Sequence, residues 1–245
     1  MREPAIIIGG LGDSGVHNQR IEQTRARLKQ GRQYKDLSTI MVCPTRGSIP
    51  ARVVESWLNL MSPMNNGFVR MFIERMEVGD AYNIAVETIL AHPQLKDFKY
   101  MLTVEEDNLP PADGLLRLLE AICDCDKPCK EHFAQVAGLY FTKGEGGQPM
   151  IYGNPRTVLK FEPQVPVPNA VQECNGTGMG FTLYHLGLFR DKAIPKPWFK
   201  TVQENGAQGT QDLYFMGAVR RAGYRIASDN RVTVGHYDDS TGVIW

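Results

Sequence analysis

The chain has 245 residues, of which 42% are hydrophobic and 22% are charged, and its 27 basic and 27 acidic side chains leave no net charge. This composition excludes a disordered or fibrous protein and fits one large α/β domain with a substantial core. The balanced charge provides no global field that would draw the protein to nucleic acid or to an anionic membrane.

The first 37 residues are predicted to form a flexible, Gly-rich N-terminal arm. In it Gly10, Gly12 and Gly15 match the G-x-G-x-x-G pattern of dinucleotide-binding loops, after a short apolar run at residues 5–8. That motif also needs a packed helix behind it and an acid at the end of the next strand. The polar segment 18–30 is a poor match to such a helix. An NAD(P)-dependent oxidoreductase that uses this loop is therefore an alternative hypothesis.

A single domain is predicted from residue 38 to residue 245, because helix and strand patterns alternate from there. Such alternation implies parallel strands joined by right-handed crossovers. The predicted strands cover residues 39–43, 68–76, 100–104, 134–141, 150–152, 224–227 and 232–234, and the predicted helices cover 50–61, 81–91, 112–122 and 211–222. Three glycines in residues 176–180 predict either close backbone approach to a ligand or a tight turn before the apolar run 181–188.

Three successive carboxylates, Glu105, Glu106 and Asp107, follow directly on the apolar strand 100–104. Their mutual repulsion falls when a divalent cation lies among them, and oxygen ligands suit Mg²⁺ or Mn²⁺. Open α/β sheets bind ligands at the carboxyl ends of their strands. The pattern therefore indicates a cation site, although the same acids taken alone also fit a solvated turn.

The cysteines do not predict a disulfide framework, because their number, five, is odd and they are widely spread. This usage is typical of a reducing compartment, and no sequence window approaches the roughly 20 apolar residues of a membrane span. We therefore expect a soluble, cytoplasmic protein without a membrane span.

A cluster of thiols follows the predicted helix 112–122. Cys123, Cys125 and Cys129 could hold zinc, with His132 as a fourth ligand. The cluster lacks the usual paired spacing of zinc ligands, which favours ordinary thiols near the end of a helix.

The order of elements resembles that of the nucleotide-diphosphosugar glycosyltransferases with the GT-A fold, especially family 2. The resemblance covers about residues 38–238: a strand with the turn Pro44–Gly47, a second strand, a helix start at Gly79–Asn83, and an apolar strand that ends in acids. The family's acid-x-acid signature, usually Asp-x-Asp, reads Glu105-Glu106-Asp107 in this chain. The resemblance implies a GT-A-like, Rossmann-like, mostly parallel central sheet flanked by helices, with a smaller mixed C-terminal part.

The resemblance also implies positions for the donor. Residues Pro44, Thr45 and Arg46 would lie against its base and ribose, Asp80 and Asn83 would approach the nucleotide, and Glu105 and Glu106 would contact it as well. Two of these positions have a simpler interpretation from the residues alone. Arg46 also fits a surface charge, and Asn83 also fits a helix cap.

For the metal, the resemblance implies that Asp107 ligates a divalent cation, with Glu105 beside it and His236 as a further ligand. The late histidine equally fits a structural role. Asp212, in the segment Gly209–Tyr214, matches the family's catalytic base, and Gln211 replaces the acid that usually precedes that base. Asp212 also fits a residue that stabilises a helix N-terminus.

The activity implied is that of a hexosyltransferase-like glycosyltransferase. It would use Mn²⁺ or Mg²⁺ and a UDP- or GDP-sugar, and would transfer the sugar to an acceptor hydroxyl with inversion, Asp212 being the base. The neutral charge disfavours nucleic acid as the acceptor. A non-catalytic nucleotide-sugar-binding module is a further hypothesis.

Overall fold

The structure is a computed structural model that describes residues 5–9, 35–64, 67–157, 159–204 and 207–245. In these ranges the main feature is a mixed sheet of eight strands with helices on both faces. The predicted α/β class, with a mostly parallel, Rossmann-like central sheet flanked by helices, is confirmed.

Along the described residues the strands, in chain order, are β1 (Ala5–Gly9), β2 (Thr39–Thr45), β3 (Phe68–Glu74), β4 (Tyr100–Val104), β5 (Asn108–Leu109), β6 (Phe133–Leu139), β7 (Ile151–Tyr152), β8 (Val171–Cys174), β9 (Gly176–Thr177), β10 (Phe181–His185), β11 (Val202–Glu204), β12 (Ala207–Gly209), β13 (Arg225–Thr233), β14 (Gly235–Asp238) and β15 (Val243–Ile244). The α-helices are α1 (Ala51–Asn59), α2 (Val78–Ala91), α3 (Gly114–Ala121) and α4 (Gln211–Arg221), and short 3₁₀ turns cover Leu95–Asp97 and Leu186–Arg190.

The large sheet has the strand order β1-β3-β2-β4-β10-β6-β13-β8. Five of these strands, β3, β2, β4, β6 and β13, run in the same direction, while β10 is antiparallel to both β4 and β6. The apolar run after the glycines is thus a strand, but its reversed direction departs from the all-parallel pairing that simple alternation implies.

The core lies in two layers because the central strands are buried on both faces. In β2, Ile40 and Val42 pack on the side of α2 and α4, whereas Met41 and Cys43 pack on the side of α1 and α3. Strands covered on both faces are expected to be apolar throughout, as β2 and β4 are. This arrangement leaves the ends of the strands as the places where polar groups gather.

The two short strands predicted at residues 224–227 and 232–234 are one strand, β13. A polar stretch interrupts the apolar pattern of this strand. The charged side chains of that stretch neutralise one another by contacts within the strand. The buried carboxylate of Asp229 accepts hydrogen bonds from the backbone N–H and the guanidinium of Arg231. The strand therefore continues through residues that the pattern alone would place in a turn.

Strand β1 lies at one edge of the sheet and runs antiparallel to β3, with Ala5 opposite Glu74. A dinucleotide-binding loop follows the first parallel strand of a βαβ unit, so this pairing does not favour the oxidoreductase hypothesis. Gly10, Gly12, Gly15 and the segment 18–30 lie outside the described residues. The boundary at residue 37 stays a prediction.

The topology brings distant segments to one end of the sheet, which we call the carboxyl edge. The ends of β2, β4, β6 and β13 lie there because these strands run in the same direction. The N-termini of α2 and α4 lie there too, since α2 follows β3 and α4 precedes β13. The opposite end is called the amino edge. Among the described helices, none has both the length and the apolar character needed to cross a membrane.

Candidate functional site

A cleft opens at the carboxyl edge, where two adjoining depressions have volumes of about 320 and 420 Å³. Both are lined by Arg46, Glu106 and Asp107. The smaller one is also lined by Pro44, Thr45, Met76, Val78 and Glu105, and the larger one by Ser48, Pro50, Lys143 and the segment 237–240. The acidic strand end and the Pro44–Gly47 turn, far apart in sequence, therefore share one cavity.

Glu106 links the ends of two neighbouring strands. Its carboxylate accepts hydrogen bonds from the Thr45 hydroxyl at 2.7 Å and from the Arg46 backbone N–H at 2.9 Å, and it also pairs with the Arg46 guanidinium. These contacts hold the turn after β2 against the turn after β4. Glu106 thus orients the wall of the cleft, and its predicted contact with a donor stays a prediction.

Asp107 is the carboxylate around which cationic groups gather. Its Oδ2 lies 2.6 Å from Nζ of Lys143 and 3.4 Å from Nε2 of His236. Burial opposes ionisation of Asp107, but hydrogen bonds from His236 and Lys143 outweigh it and lower the pKa of this carboxyl. Asp107 is therefore ionised at neutral pH and balanced by a positive group.

The ring of His236 is oriented by its second nitrogen. Nδ1 lies 2.8 Å from the carbonyl oxygen of Phe141 and must carry the proton, because a carbonyl oxygen only accepts. Nε2 donates to Asp107 when the ring is protonated, whereas in the neutral ring Nε2 presents a lone pair to Asp107. Two such acceptors repel unless a proton or a cation lies between them. Metal-binding histidines share this arrangement, with one nitrogen donating to a carbonyl and the other free for the metal.

Asp107 and His236 form a pair of possible ligands for a divalent cation. Asp107 and His236 present an oxygen and a nitrogen toward the same point, and Glu105 lies two residues before Asp107 at the same strand end. A site made of all three residues stays a prediction, because the ligand atoms of Glu105, Asp107 and His236, all of them described residues, do not form a group within 4.8 Å of one another. Topology explains why Asp107 and His236 meet: β14 pairs with β5 so that His236 lies opposite Asn108, next to Asp107.

Glu105 differs from its neighbours because the described residues form no hydrogen bond to its side chain. Burial raises the pKa of Glu105 to about 7, and the charges of Asp107 and Asp212 add to this shift. Lys143 and His236 oppose the shift. At neutral pH the carboxyl is therefore close to half ionised, and a nearby cation would favour the ionised form.

The raised pKa of Glu105 predicts how stability depends on pH when no metal is bound. The folded protein holds this proton up to about pH 7, whereas the unfolded chain releases it near 4.5. Between these values the folded state binds more protons, so its stability falls as the pH rises. We expect the Tm to fall between about pH 5 and pH 7.5, and Glu105→Gln to flatten this slope. Scanning calorimetry measures it; an unchanged slope in the variant would contradict the assignment.

Asp212 lies in the first turn of α4 and is buried. Burial raises the pKa of Asp212, against hydrogen bonds from the Thr210 hydroxyl and the Leu213 backbone N–H. The charge of Asp212 in turn contributes to the raised pKa of Glu105, and the first turn of α4 lies at the carboxyl edge, although Asp212 does not line the two depressions. The residue therefore has the raised pKa that suits a base, while also supporting the start of the helix.

The structure places Asp80 and Asn83 on α2, and neither lines the two depressions described above. Asp80 is exposed in the first turn, where its backbone N–H donates to the Glu77 side chain. Asn83 is not a cap either. Its amide oxygen accepts from the backbone N–H groups of Trp198 and Phe199, and its nitrogen donates to the Phe199 carbonyl. These contacts give Asn83 a structural role, and its predicted approach to a nucleotide stays a prediction.

Replacement of Asn83 tests this structural role. Asn83→Ala removes three hydrogen bonds and leaves backbone groups of residues 198–199 unpaired, so we expect the free energy of unfolding to fall by about 2–3 kcal/mol. Urea denaturation measures the change. Asn59→Ala is the control, since exposed Asn59 makes a single 3.5 Å contact with Glu55, and it should change stability by less than about 0.5 kcal/mol. Equal losses in both variants would contradict the structural role.

The glycines near residue 178 approach the protein's own side chains. A Cβ on Gly178 would lie 2.0 Å from the hydroxyl of Tyr140, and a Cβ on Gly180 would lie 2.5 Å from the amide oxygen of Asn108. The backbone of Gly180 also accepts from the Glu105 N–H. The chain turns at residues 179–180 directly before β10, as the second predicted role requires, whereas close backbone approach to a ligand stays a prediction.

Sequence reasoning missed Lys143. It lies in the turn between β6 and β7, next to Gly144 and Glu145, where a lysine is typical of a solvated loop. Its contact with Asp107 depends on the two strands ending at the same edge. The turn is closed by the Thr142 N–H bond to the Gln148 carbonyl, while β7 itself pairs with β9.

The fold and the site together define an α/β protein with a Rossmann-like sheet and an acidic cleft at its carboxyl edge. No protein-family model matches the sequence, and no curated protein matches it. Among solved structures, protein A197 from STIV is similar with a TM-score of 0.59 and 19% identity, over 83% of this chain and 87% of that one. At this identity the likeness shows the fold alone.

Two other solved structures are similar at a lower level. Residues 1–349 of TarS from S. aureus give a TM-score of 0.45 with 12% identity, over 80% of this chain and 60% of that one. A nucleoside-diphosphate-sugar pyrophosphorylase from Vibrio cholerae RC9 gives 0.38 with 11% identity, over 88% and 80%. These two likenesses are too weak to support a conclusion about this chain.

Proposed function

We propose that the chain is a metal-dependent glycosyltransferase that moves a sugar from a nucleotide-diphosphate donor to an acceptor hydroxyl. The observation that carries this proposal is the contact between Asp107 and His236 at the carboxyl edge, where Asp107 lines a cleft whose other wall is the turn Pro44–Gly47. An ionised carboxylate and an oriented imidazole beside a cavity suit the binding of a cation together with an anionic ligand.

In this proposal Asp107 and His236 hold Mn²⁺ or Mg²⁺, with Glu105 beside them. Such a cation supplies stabilisation of the negative charge that develops on the departing diphosphate. Lys143 is then free of Asp107 and adds a second positive charge next to the same place. The base and ribose of a UDP- or GDP-sugar occupy the smaller depression against Pro44, Thr45 and Arg46.

Asp212 is proposed as the base of an inverting transfer. It accepts the proton of the acceptor hydroxyl while the oxygen bonds to the sugar's anomeric carbon and the bond to the diphosphate breaks on the opposite face. Two features support this role: Asp212 lies in the first turn of α4 at the carboxyl edge, and burial raises its pKa. A stronger base takes a hydroxyl proton more readily.

Release of nucleotide from UDP-, GDP- and dTDP-sugars, with and without Mn²⁺, tests the proposal. We expect one donor class to be hydrolysed or transferred only when the cation is present. Cation-linked binding of a donor without turnover would indicate the non-catalytic module instead. Failure of every donor to bind in the presence of Mn²⁺ would overturn the proposed function.

A further inference from the structure

A second group of possible metal ligands lies away from the cleft, in the loop between α3 and β6. Cys123, Cys125, Cys129 and His132 each offer one ligand atom, and these atoms all lie within 4.8 Å of one another. All five cysteines of the chain are free thiols, including these three. The proposed function uses none of the four residues.

The separations between Cys129 and the other three ligand atoms are close to those of a tetrahedral site. Sγ of Cys129 lies 3.4 Å from Sγ of Cys123, 3.8 Å from Sγ of Cys125 and 3.1 Å from Nδ1 of His132. A tetrahedron with Zn–S bonds of ~2.3 Å and Zn–N bonds of ~2.0 Å has edges of about 3.8 Å between sulfurs and about 3.5 Å between sulfur and nitrogen. A disulfide would need sulfurs ~2.05 Å apart and would leave the third thiol unused.

The loop is closed at its base, so a metal would complete an existing structure. Ile122 bridges to Phe133 at the start of β6, and the Cys123 N–H donates to the Phe133 carbonyl at 2.7 Å. The residues between them form no helix or strand. Most of them are polar or charged, so the loop has little apolar surface with which to stabilise itself.

Two buried side chains of the main sheet fix the positions of the first two cysteines. The Tyr100 hydroxyl donates to the Cys123 carbonyl at 2.9 Å, and Nε2 of His185 lies 3.0 Å from the Cys125 carbonyl, to which it donates. Tyr100 begins β4 and His185 ends the antiparallel β10, so both lie at the amino edge. The cluster is therefore anchored at the end of the sheet opposite the acidic cleft.

Backbone N–H groups surround the sulfur of Cys123. Those of Cys125 and Cys129 hydrogen-bond to it, so this sulfur is held at a fixed place in the loop. Thiolates are the form in which cysteine binds zinc. Several thiolates this close together repel one another unless a cation lies among them.

We propose that Cys123, Cys125, Cys129 and His132 bind one Zn²⁺ ion, which closes the loop between α3 and β6. Four protein ligands make a closed, structural site rather than a catalytic one with an open position. The site is independent of the proposed glycosyltransferase activity, since the acidic cleft lies at the other edge and has oxygen ligands that suit harder cations.

Metal content and Co²⁺ substitution test the site on the full chain. After removal of metal with a chelator, we expect one Zn²⁺ to rebind per chain, measured by plasma mass spectrometry. We also expect Co²⁺ to give the intense visible bands of a tetrahedral site and a near-ultraviolet thiolate charge-transfer band. Removal of the metal should lower the Tm by several degrees, because binding energy at such a site is folding energy.

Variants of the more exposed ligands keep the test independent of folding. His132→Ala should weaken Zn²⁺ binding at least about tenfold, and His132→Cys should restore it with a Co²⁺ spectrum of all-thiolate character. Cys125→Ser and Cys129→Ser should each abolish the charge-transfer band. Asp126→Asn, in the same loop, and Cys174→Ala, a buried thiol outside it, should both retain one Zn²⁺.

Asp107→Asn should also retain this zinc, which separates the two sites. The proposal is overturned if the chain binds no Zn²⁺, or if it binds Zn²⁺ equally well after replacement of Cys125, Cys129 and His132. It is equally overturned if the intact mass of the freshly purified, folded chain lacks two hydrogens because Cys123 and Cys129 are joined.

Discussion

Asp107→Asn is expected to abolish Mn²⁺-dependent binding of the sugar nucleotide and to lower turnover at least about 100-fold. The change keeps the size of the side chain but removes the negative charge that faces Lys143 and His236. Without that charge a cation loses its anionic ligand, and the lone pair of His236 alone binds Mn²⁺ weakly. Calorimetric titration of Mn²⁺ with the nucleoside diphosphate measures the loss.

The control for this variant is Asp97→Asn. Asp97 is an exposed acid that precedes β4, at the amino edge, and lies in a short 3₁₀ turn. Its replacement should leave the Mn²⁺-linked component unchanged. Full activity in Asp107→Asn, with Mn²⁺ still required, would show that other residues ligate the cation.

Asp212→Asn is the second variant with a large expected effect. Unlike Asp107→Asn, it should lower the transfer rate without weakening donor binding. We expect the transfer rate to fall about 10²–10⁴-fold, because the acceptor hydroxyl loses its base. Binding of the donor and of Mn²⁺ should stay within a factor of about three, since the variant carboxamide can still accept the Leu213 N–H bond. Pre-steady-state transfer assays together with donor titration separate the two quantities.

The adjacent residue offers a matched comparison for Asp212. Gln211→Ala changes the same first turn of α4 without removing a charge, and it should lower the transfer rate only slightly. An unchanged transfer rate in Asp212→Asn would show that Asp212 is not the base. Loss of donor binding in that variant would instead assign it a role in holding the ligand.

The sequence carried enough information to place most of the elements. Strands β2 and β4 are apolar throughout because they are buried on both faces, and the helices that flank them have regular apolar stripes. The sequence contains no comparable pattern that would predict the reversed direction of β10. A buried strand has the same apolar composition in either direction, and only its neighbours decide which way it runs.

The parts of the candidate site that depend on neighbouring residues in the sequence could be predicted. The acids after β4 stand out because three charges directly follow a buried strand. The hydrogen-bond partners of Glu106 could not be identified in this way, since Thr45 and Arg46 lie 61 and 60 residues away in the sequence. Asn83 looked like a ligand or cap residue because of its place near a helix start, yet its contacts lie 115 and 116 residues away. Contacts of this kind depend on tertiary packing.

The cleft is a composite of segments that meet only when the sheet is complete. His236 reaches its carbonyl partner Phe141 across 95 residues, and the strand that delivers it is the partner of the short strand after the acids. Closing such long loops is slow and is rewarded late in folding. Any change that loosens residues 235–245, which hold β14 and β15 outside the large sheet, would therefore remove His236 from Asp107 while the eight-stranded sheet, and the bulk spectroscopic signature of the fold, remain.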